Sequence, residues 1–291
     1  MRGSTGSWRL VPGFQIVSFT IYREALSLRA SHRANIIGAK LKQQQQNWYG
    51  PVTAPNTLQQ AFADICVMDG PLSRKLAAYS EKLQELNFPF AEAYDTLVAR
   101  LIDGGIGAGA PNVGEPMPQF ALPSRSGELI RLDEMLVAGP VVISFNRGHW
   151  CPFCKIELRT VAAYHEEIAA HGGRVVSILP DRQGFLGQLD ADTEGKLLIL
   201  TDIDNGYALS LGLVLWLGDR LKELMKGRGV HLDQIHGNDG WFVPLPATFV
   251  VAADGLVVSR HVDPDFRLRM EVDEILSALR RAEAHSTARH G

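Results

Sequence analysis

The stretch that most constrains this chain is Val141-Val142-Ile143-Ser144-Phe145, followed after Asn146-Arg147-Gly148-His149-Trp150 by Cys151-Pro152-Phe153-Cys154. The first five residues have the β-branched and aromatic content of a buried strand. From Cys154 to about Ala170, residues Ile156, Val161, Tyr164 and Ile168 fall on or near one helical face. The cysteine pair therefore sits where a strand hands over to a helix. The first turn of a helix offers unpaired N–H groups and about half a positive charge. Both favour thiolate over thiol and take a cysteine pKa from about 8.5 to about 7 or lower. Two intervening residues let the sulfurs approach across that turn. Pro152 has no N–H to lose and fixes φ where the helix begins. Arg147 and His149 add positive potential nearby. Redox chemistry is the leading reading. Zinc binding wants a second C-x-x-C or a Cys/His pair at ligand spacing, and the sequence has neither. Metal handling by Cys151, Cys154 and His149 stays as the weaker alternative, so no metal or cofactor is expected.

The surrounding pattern alternates strand and helix. Phe120–Leu122 and Glu128–Leu132 flank Ser126-Gly127 as a hairpin. Val175–Leu179 and Leu197–Leu200 read as strands, with helices over about Gln183–Leu189 and Asn205–Leu211. Thr248–Val251 and Leu256–Arg260 form a second hairpin through Asp254-Gly255, and Met270–Ala282 closes as an amphipathic helix. This is an α/β domain over 112–283, a central mixed sheet with helices on both faces, with 284–291 as a disordered tail.

Upstream, Leu58, Phe62, Ile65 and Cys66 share one helical face, Leu72 to Leu86 a second, and Phe90 to Leu101 a third. Asp69-Gly70-Pro71 and Asn87-Phe88-Pro89 separate them. Residues 56–108 thus form a small all-helical module that must bury its faces against itself, the redox domain or a partner. Cys66 on such a face reads as a small buried hydrophobe. Gly107 to Pro111 reads as a linker.

The first 55 residues carry seven Lys/Arg and one acid, Glu24. They read as a flexible leader or as a chain begun too early, dispensable for stability and thiol activity, with a targeting role as the alternative. Their apolar stretch, broken by Pro12-Gly13, falls short of the roughly 20 residues that span a bilayer. A net charge of −3 over 291 residues gives no reason to expect nucleic acid or a membrane surface as partner. Three cysteines are too few for a disulfide-stapled secreted scaffold, and a cytoplasmic location is expected.

Residues 113–283 resemble the thioredoxin-fold superfamily and, within it, the alkyl hydroperoxide reductase/thiol-specific antioxidant family of peroxiredoxins. The resemblance rests on Val113 to Phe120 with Leu122-Pro123, on Phe145 to Leu158, on Leu200-Thr201-Asp202 with Tyr207 to Leu213, and on Pro246 to Val251. It implies reduction of a peroxide, or alternatively of a disulfide, by the Cys151/Cys154 pair, recycled by a thioredoxin-like reductant. It also implies substrate contacts from Arg147, Pro246 and Thr248. The family's usual Thr-x-x-Cys places Cys154 at the peroxidatic position and Cys151 at the Thr position. On that basis, and because Cys154 lies deeper in the first turn, Cys154 is the expected peroxide-reactive residue; thioredoxin logic assigns Cys151 instead. Glu157 matches a family habit and is placed to tether an arginine. Where the family carries an arginine before the late strand, this chain has Pro246, as thioredoxins do, and the analogy implies a cis Leu245–Pro246 bond. The long stretch Leu215–Val243 is expected to form a lid or extra surface.

Overall fold

The computed structural model describes residues 58–290, with side chains through 283. The leader and Gly291 lie outside the described residues. Five strands form the central sheet in the order β5-β4-β3-β8-β9: β3 Val141–Phe145, β4 Arg174–Leu179, β5 Leu198–Thr201, β8 Ala247–Val251 and β9 Val257–Val262. β3, β4 and β5 run parallel, while β8 lies antiparallel to both β3 and β9. This is the mixed α/β sheet of a thioredoxin-like fold. β1 Ala121–Pro123 and β2 Leu129–Arg131 make the expected first hairpin, and Gly127 supplies the positive φ of its turn.

Alternation along the strands builds two cores. Val141, Ile143, Phe145, Val176, Ile178, Phe249 and Val251 face one, and Val142, Val175, Leu179 and Val250 face the other. The second is covered by Val272–His290, through Val272, Ile275, Ala278 and Leu279. The backbone of that helix continues through 284–290, the stretch expected to be a disordered tail.

The first core receives α1 Leu58–Val67, α2 Leu72–Glu85 and α3 Pro89–Asp103. Their buried residues are those the periodicity picks out: Leu58, Phe62 and Ile65; Leu72, Leu76, Tyr79 and Leu83; Phe90, Tyr94, Leu97 and Leu101. α1 and α2 pack on α5, Pro152–Ala163, the helix that begins inside the Cys-x-x-Cys turn. The three helices therefore share one continuous core with the sheet. Of the surfaces open to them, they use the redox domain.

The helix after Cys151 is shorter than expected. α5 ends at Ala163, Tyr164 leaves helical geometry, and α6 His165–Ala170 restarts. The long Leu215–Val243 stretch contains β6 Val214–Trp216, α9 Asp219–Lys226, α10 Leu232–His236 and β7 Phe242–Pro244, with β6 and β7 paired. Trp241 is buried and Trp216 exposed. Among the described residues no helix is long and apolar enough to cross a membrane.

Candidate active site

The end of β3 delivers its chain into a tight loop. Gly148 has a φ of 139°, and a Cβ there would meet Trp150 Nε1 at 2.3 Å and Asp181 Oδ1 at 2.6 Å, so only glycine fits. The Cys151 N–H donates to the Gly148 carbonyl at 3.1 Å, which closes the turn. Cys151 is the N-cap of α5, and its Sγ accepts the Cys154 N–H at 3.4 Å. That bond follows the N-cap rule, with sulfur taking the part of the usual oxygen. Pro152 stands at the first helical position, as its missing N–H requires. Both sulfurs belong to free, fully buried cysteines.

Arg147 lies on Cys151. Its Nη2 donates to Sγ at 3.1 Å, and its Cζ sits 3.9 Å above the Phe266 ring and 5.6 Å from the rings of Tyr94 and Trp150. An aromatic cage thus holds a guanidinium that is 0% exposed. Its Nε and Nη1 have no hydrogen-bond partner among the described residues.

Burial by itself pushes the Cys151 thiol up. The Cys154 thiol, the Arg147 guanidinium, the Cys154 N–H and Arg269 outweigh it and bring Cys151 down to about 5. Cys154 goes the other way, well above the usual thiol range, because of burial and the negative charge on Cys151. The Cys154 N–H, in the first turn of the helix, points at Cys151. The two shifts run in opposite directions and favour the charge on Cys151 over Cys154, whereas the sequence reading favoured Cys154.

A second arginine stands by Cys154. Arg269 Nε donates to Glu157 Oε2 at 2.7 Å, and its Nη2 lies 4.0 Å from Cys154 Sγ. The other Glu157 oxygen accepts from Ser144 Oγ at 3.0 Å. Asn146 Nδ2 adds contacts to the hydroxyls of Ser144 and Ser177. Thr248 lies opposite Ser144 in register and is buried on the same face.

Pro246 leads into β8, one residue before Ala247, which pairs with Phe145. The Leu245–Pro246 bond is not cis; the described residues contain no cis peptide. The reason is the path of the chain. It passes from β7, paired with β6, into β8, paired with β3. The Leu245 N–H is bonded to the Leu213 carbonyl on the way. A cis proline suits a tight turn, and there is none here.

Sequence reasoning placed Cys151, Cys154, Arg147 and Glu157 in one site, and the fold brings them together. It missed Arg269, Tyr94, Phe266 and Asp181. The last three carry no local signal. Arg269 had a partial one, since Glu157 one turn beyond Cys154 needed a counter-charge. Cys66 is half-buried against the core, and burial pushes its thiol up. Among the described residues no group of three or more His, Cys, Asp or Glu is arranged to hold a metal.

The fold and the buried cysteine pair define a thiol-dependent oxidoreductase of the thioredoxin-fold class. The family model described as "AhpC/TSA family" matches residues 113–260, and the chain belongs to that family. Among curated proteins no sequence matches it. Solved structures similar to it include peroxidoxin BcpB from Mycobacterium tuberculosis, at 22% identity and a TM-score of 0.46 over 59% of this chain and 97% of that one. A mutant of peroxiredoxin 6 from Arenicola marina is similar at 18% identity and 0.47, over 58% and 72%. Reduced Prx3 from Vibrio vulnificus in complex with hydrogen peroxide is similar at 17% and 0.46, over 58% and 98%. At such identities and scores none of them bears on what this chain does.

Proposed function

We propose that this protein is a thiol peroxidase in which Cys151 is the nucleophile and Cys154 the resolving thiol. The Cys151 thiolate attacks one oxygen of hydrogen peroxide or an alkyl hydroperoxide. The S–O bond forms as the O–O bond breaks, sulfur is oxidised to a sulfenic acid, and the departing oxygen leaves as water or an alcohol after taking a proton. The Cys154 thiol then attacks the sulfenic sulfur; a disulfide forms and water leaves. A thioredoxin-like dithiol returns two electrons by exchange.

The observation that carries this reading is the fully buried Cys151–Arg147 contact with two guanidinium nitrogens left unpaired. Those N–H groups suit the partial negative charge that develops on peroxide oxygens, and a fully buried sulfur suits a small substrate. Thr248 on β8, the strand beside β3, and Pro246 just before it complete the proposed substrate surface.

A second reading is a disulfide oxidoreductase. Pro246 in place of an arginine favours it, as does the asymmetry of a low Cys151 and a high Cys154, which suits disulfide exchange. The test compares peroxide consumption with a thioredoxin system against insulin reduction, in the parent and in Cys151→Ser and Cys154→Ser. Under the peroxidase reading the parent consumes peroxide, Cys154→Ser forms a trappable sulfenic acid with one equivalent but turns over poorly, and Cys151→Ser forms none. The reversed pattern assigns the attack to Cys154. Insulin reduction by a parent inert to peroxide establishes the second reading.

A further inference from the structure

Two residues before Cys151, the loop is fastened to a carboxylate that the proposed chemistry does not use. Asp181 lies just beyond the C-terminal end of β4, beside the end of β3 that carries the cysteines. It is 0% exposed. Its Oδ2 accepts the backbone N–H of His149 at 2.8 Å and lies 2.6 Å from His149 Nδ1. A carboxylate only accepts, so Nδ1 carries the proton in that contact. The imidazole is further fixed by stacking on Phe185, with centroids 5.6 Å apart. On the other side, His236 Nε2 of α10 stands 3.4 Å from Oδ1, and both atoms are buried without another hydrogen-bond partner among the described residues.

Asp181 is itself held rigidly. Its carbonyl accepts from Thr201 Oγ1 at 3.0 Å, and the next N–H, of Arg182, donates to Ile235 in α10 at 3.0 Å. Burial pushes the Asp181 carboxyl up, but the interactions with His149 and His236 outweigh this and hold it well below the usual carboxylate range. The two histidines therefore favour a charged acceptor at this position. The close approach of Oδ1 to Gly148 excludes any side chain from that position. Arg147, Gly148 and His149 are consecutive, and Gly148 supplies the carbonyl that receives the Cys151 N–H. Wherever Asp181 holds His149, it also sets where Arg147 leaves the backbone and where Cys151 begins the helix.

We propose that Asp181 is a positioning residue for the reaction at Cys151, acting through His149, with His236 anchoring the same carboxylate to the Leu215–Val243 stretch. This rests on the reading of Cys151 as the thiolate. The groups that face Cys151 are Arg147 from its own loop, Cys154 from α5, Arg269 from the segment after β9 and Tyr94 from α3. Asp181 is not one of the main influences on that sulfur, so its effect passes through the placement of Arg147.

The sign of one measurement separates placement from charge. Removing a negative charge near a thiolate, with nothing else moved, favours the thiolate and lowers its midpoint. Loosening Arg147 from Cys151 raises it. The experiment is the pH dependence of Cys151 alkylation by iodoacetamide in the full chain, with Cys154→Ser as background, for the parent and Asp181→Asn. The expected result is a midpoint raised by about one pH unit, a ten-fold loss of thiolate below it. The peroxide rate constant at pH 8 should also fall several-fold. A merely structural role lowers the melting temperature and leaves the midpoint in place; an unchanged or lowered midpoint overturns the proposal. Should Asp181→Asn not fold, His149→Asn keeps the backbone N–H on Asp181, removes only the ring, and must raise the midpoint as well. A parent midpoint in the ordinary thiol range instead overturns the assignment of Cys151 as thiolate, which the parent curve reports on its own.

Discussion

The Glu271 carboxylate caps a helix that begins 199 residues earlier: its Oε2 accepts the Leu72 N–H at 2.9 Å, and its Oε1 the Ser73 N–H at 2.7 Å. The N-cap of that helix is Pro71, which makes no capping bond of its own. The segment that carries Glu271 reaches the rest of the site as well. Phe266 lies under Arg147, Arg267 pairs with Asp95 of α3 at 2.5 Å, and Arg269 binds Glu157. One stretch between β9 and the last helix thus joins the N-terminal helices to the cysteines.

Glu271→Ala should lower the unfolding free energy by about 1 kcal/mol, the typical worth of a helix cap with its dipole contribution. Urea unfolding reads this as a lower midpoint at constant slope. An unchanged midpoint would show that water replaces the carboxylate without cost.

The reduced protein should be alkylated at Cys151 with a midpoint near pH 5. Linkage adds a stability signature. The folded pKa of Cys151 lies below the unfolded value of about 8.5, so the thiolate's stabilisation is complete above the latter and is lost as pH falls through the former. Between pH 8 and pH 5, the melting temperature of the reduced parent should fall relative to Cys151→Ser. Parallel curves would refute a buried thiolate.

Arg147→Met keeps the length and apolar contacts of the side chain inside its cage of Phe266, Tyr94 and Trp150 while removing the charge. The peroxide rate constant should drop about 10²- to 10³-fold, the usual cost of losing a donor to a developing oxyanion. The Cys151 midpoint should rise in parallel. A higher midpoint with full activity at pH 9 would mean that Arg147 only tunes the thiolate.

Glu157→Gln leaves Arg269 charged, buried and without its counter-ion. Breaking one side of such a pair costs about 3–5 kcal/mol, whereas an apolar pair of similar volume is often neutral. Glu157→Gln should therefore be strongly destabilised, and Glu157→Leu/Arg269→Met should recover most of the loss in chemical denaturation. Equal loss in both would indicate that Arg269 is needed for more than its partner.

The sequence by itself determined the local elements and the reactive pair. Val141–Phe145, Pro152 at the first helical position and the two cysteines are decided within one short stretch by backbone sterics and the N–H groups of one helix turn. The three upstream helices were legible from their apolar faces, because those faces repeat at the helical period whatever they pack against. Which cysteine holds the charge was not legible. It depends on Arg147 lying on Cys151 rather than extending past it, and that follows from Phe266 and Tyr94, which come from opposite ends of the described chain. Asp181 and His236 were equally silent and Arg269 was signalled only through Glu157, for they stand in irregular segments or short elements and reach the site only when β4, α10 and the segment after β9 converge. The trans Leu245–Pro246 bond belongs with them, since the path from β7 to β8 is set by the strands paired on either side. Periodicity records which face of an element is buried. Which charges then meet inside that buried space is decided by packing between residues far apart in the chain, and only the tertiary structure holds that information.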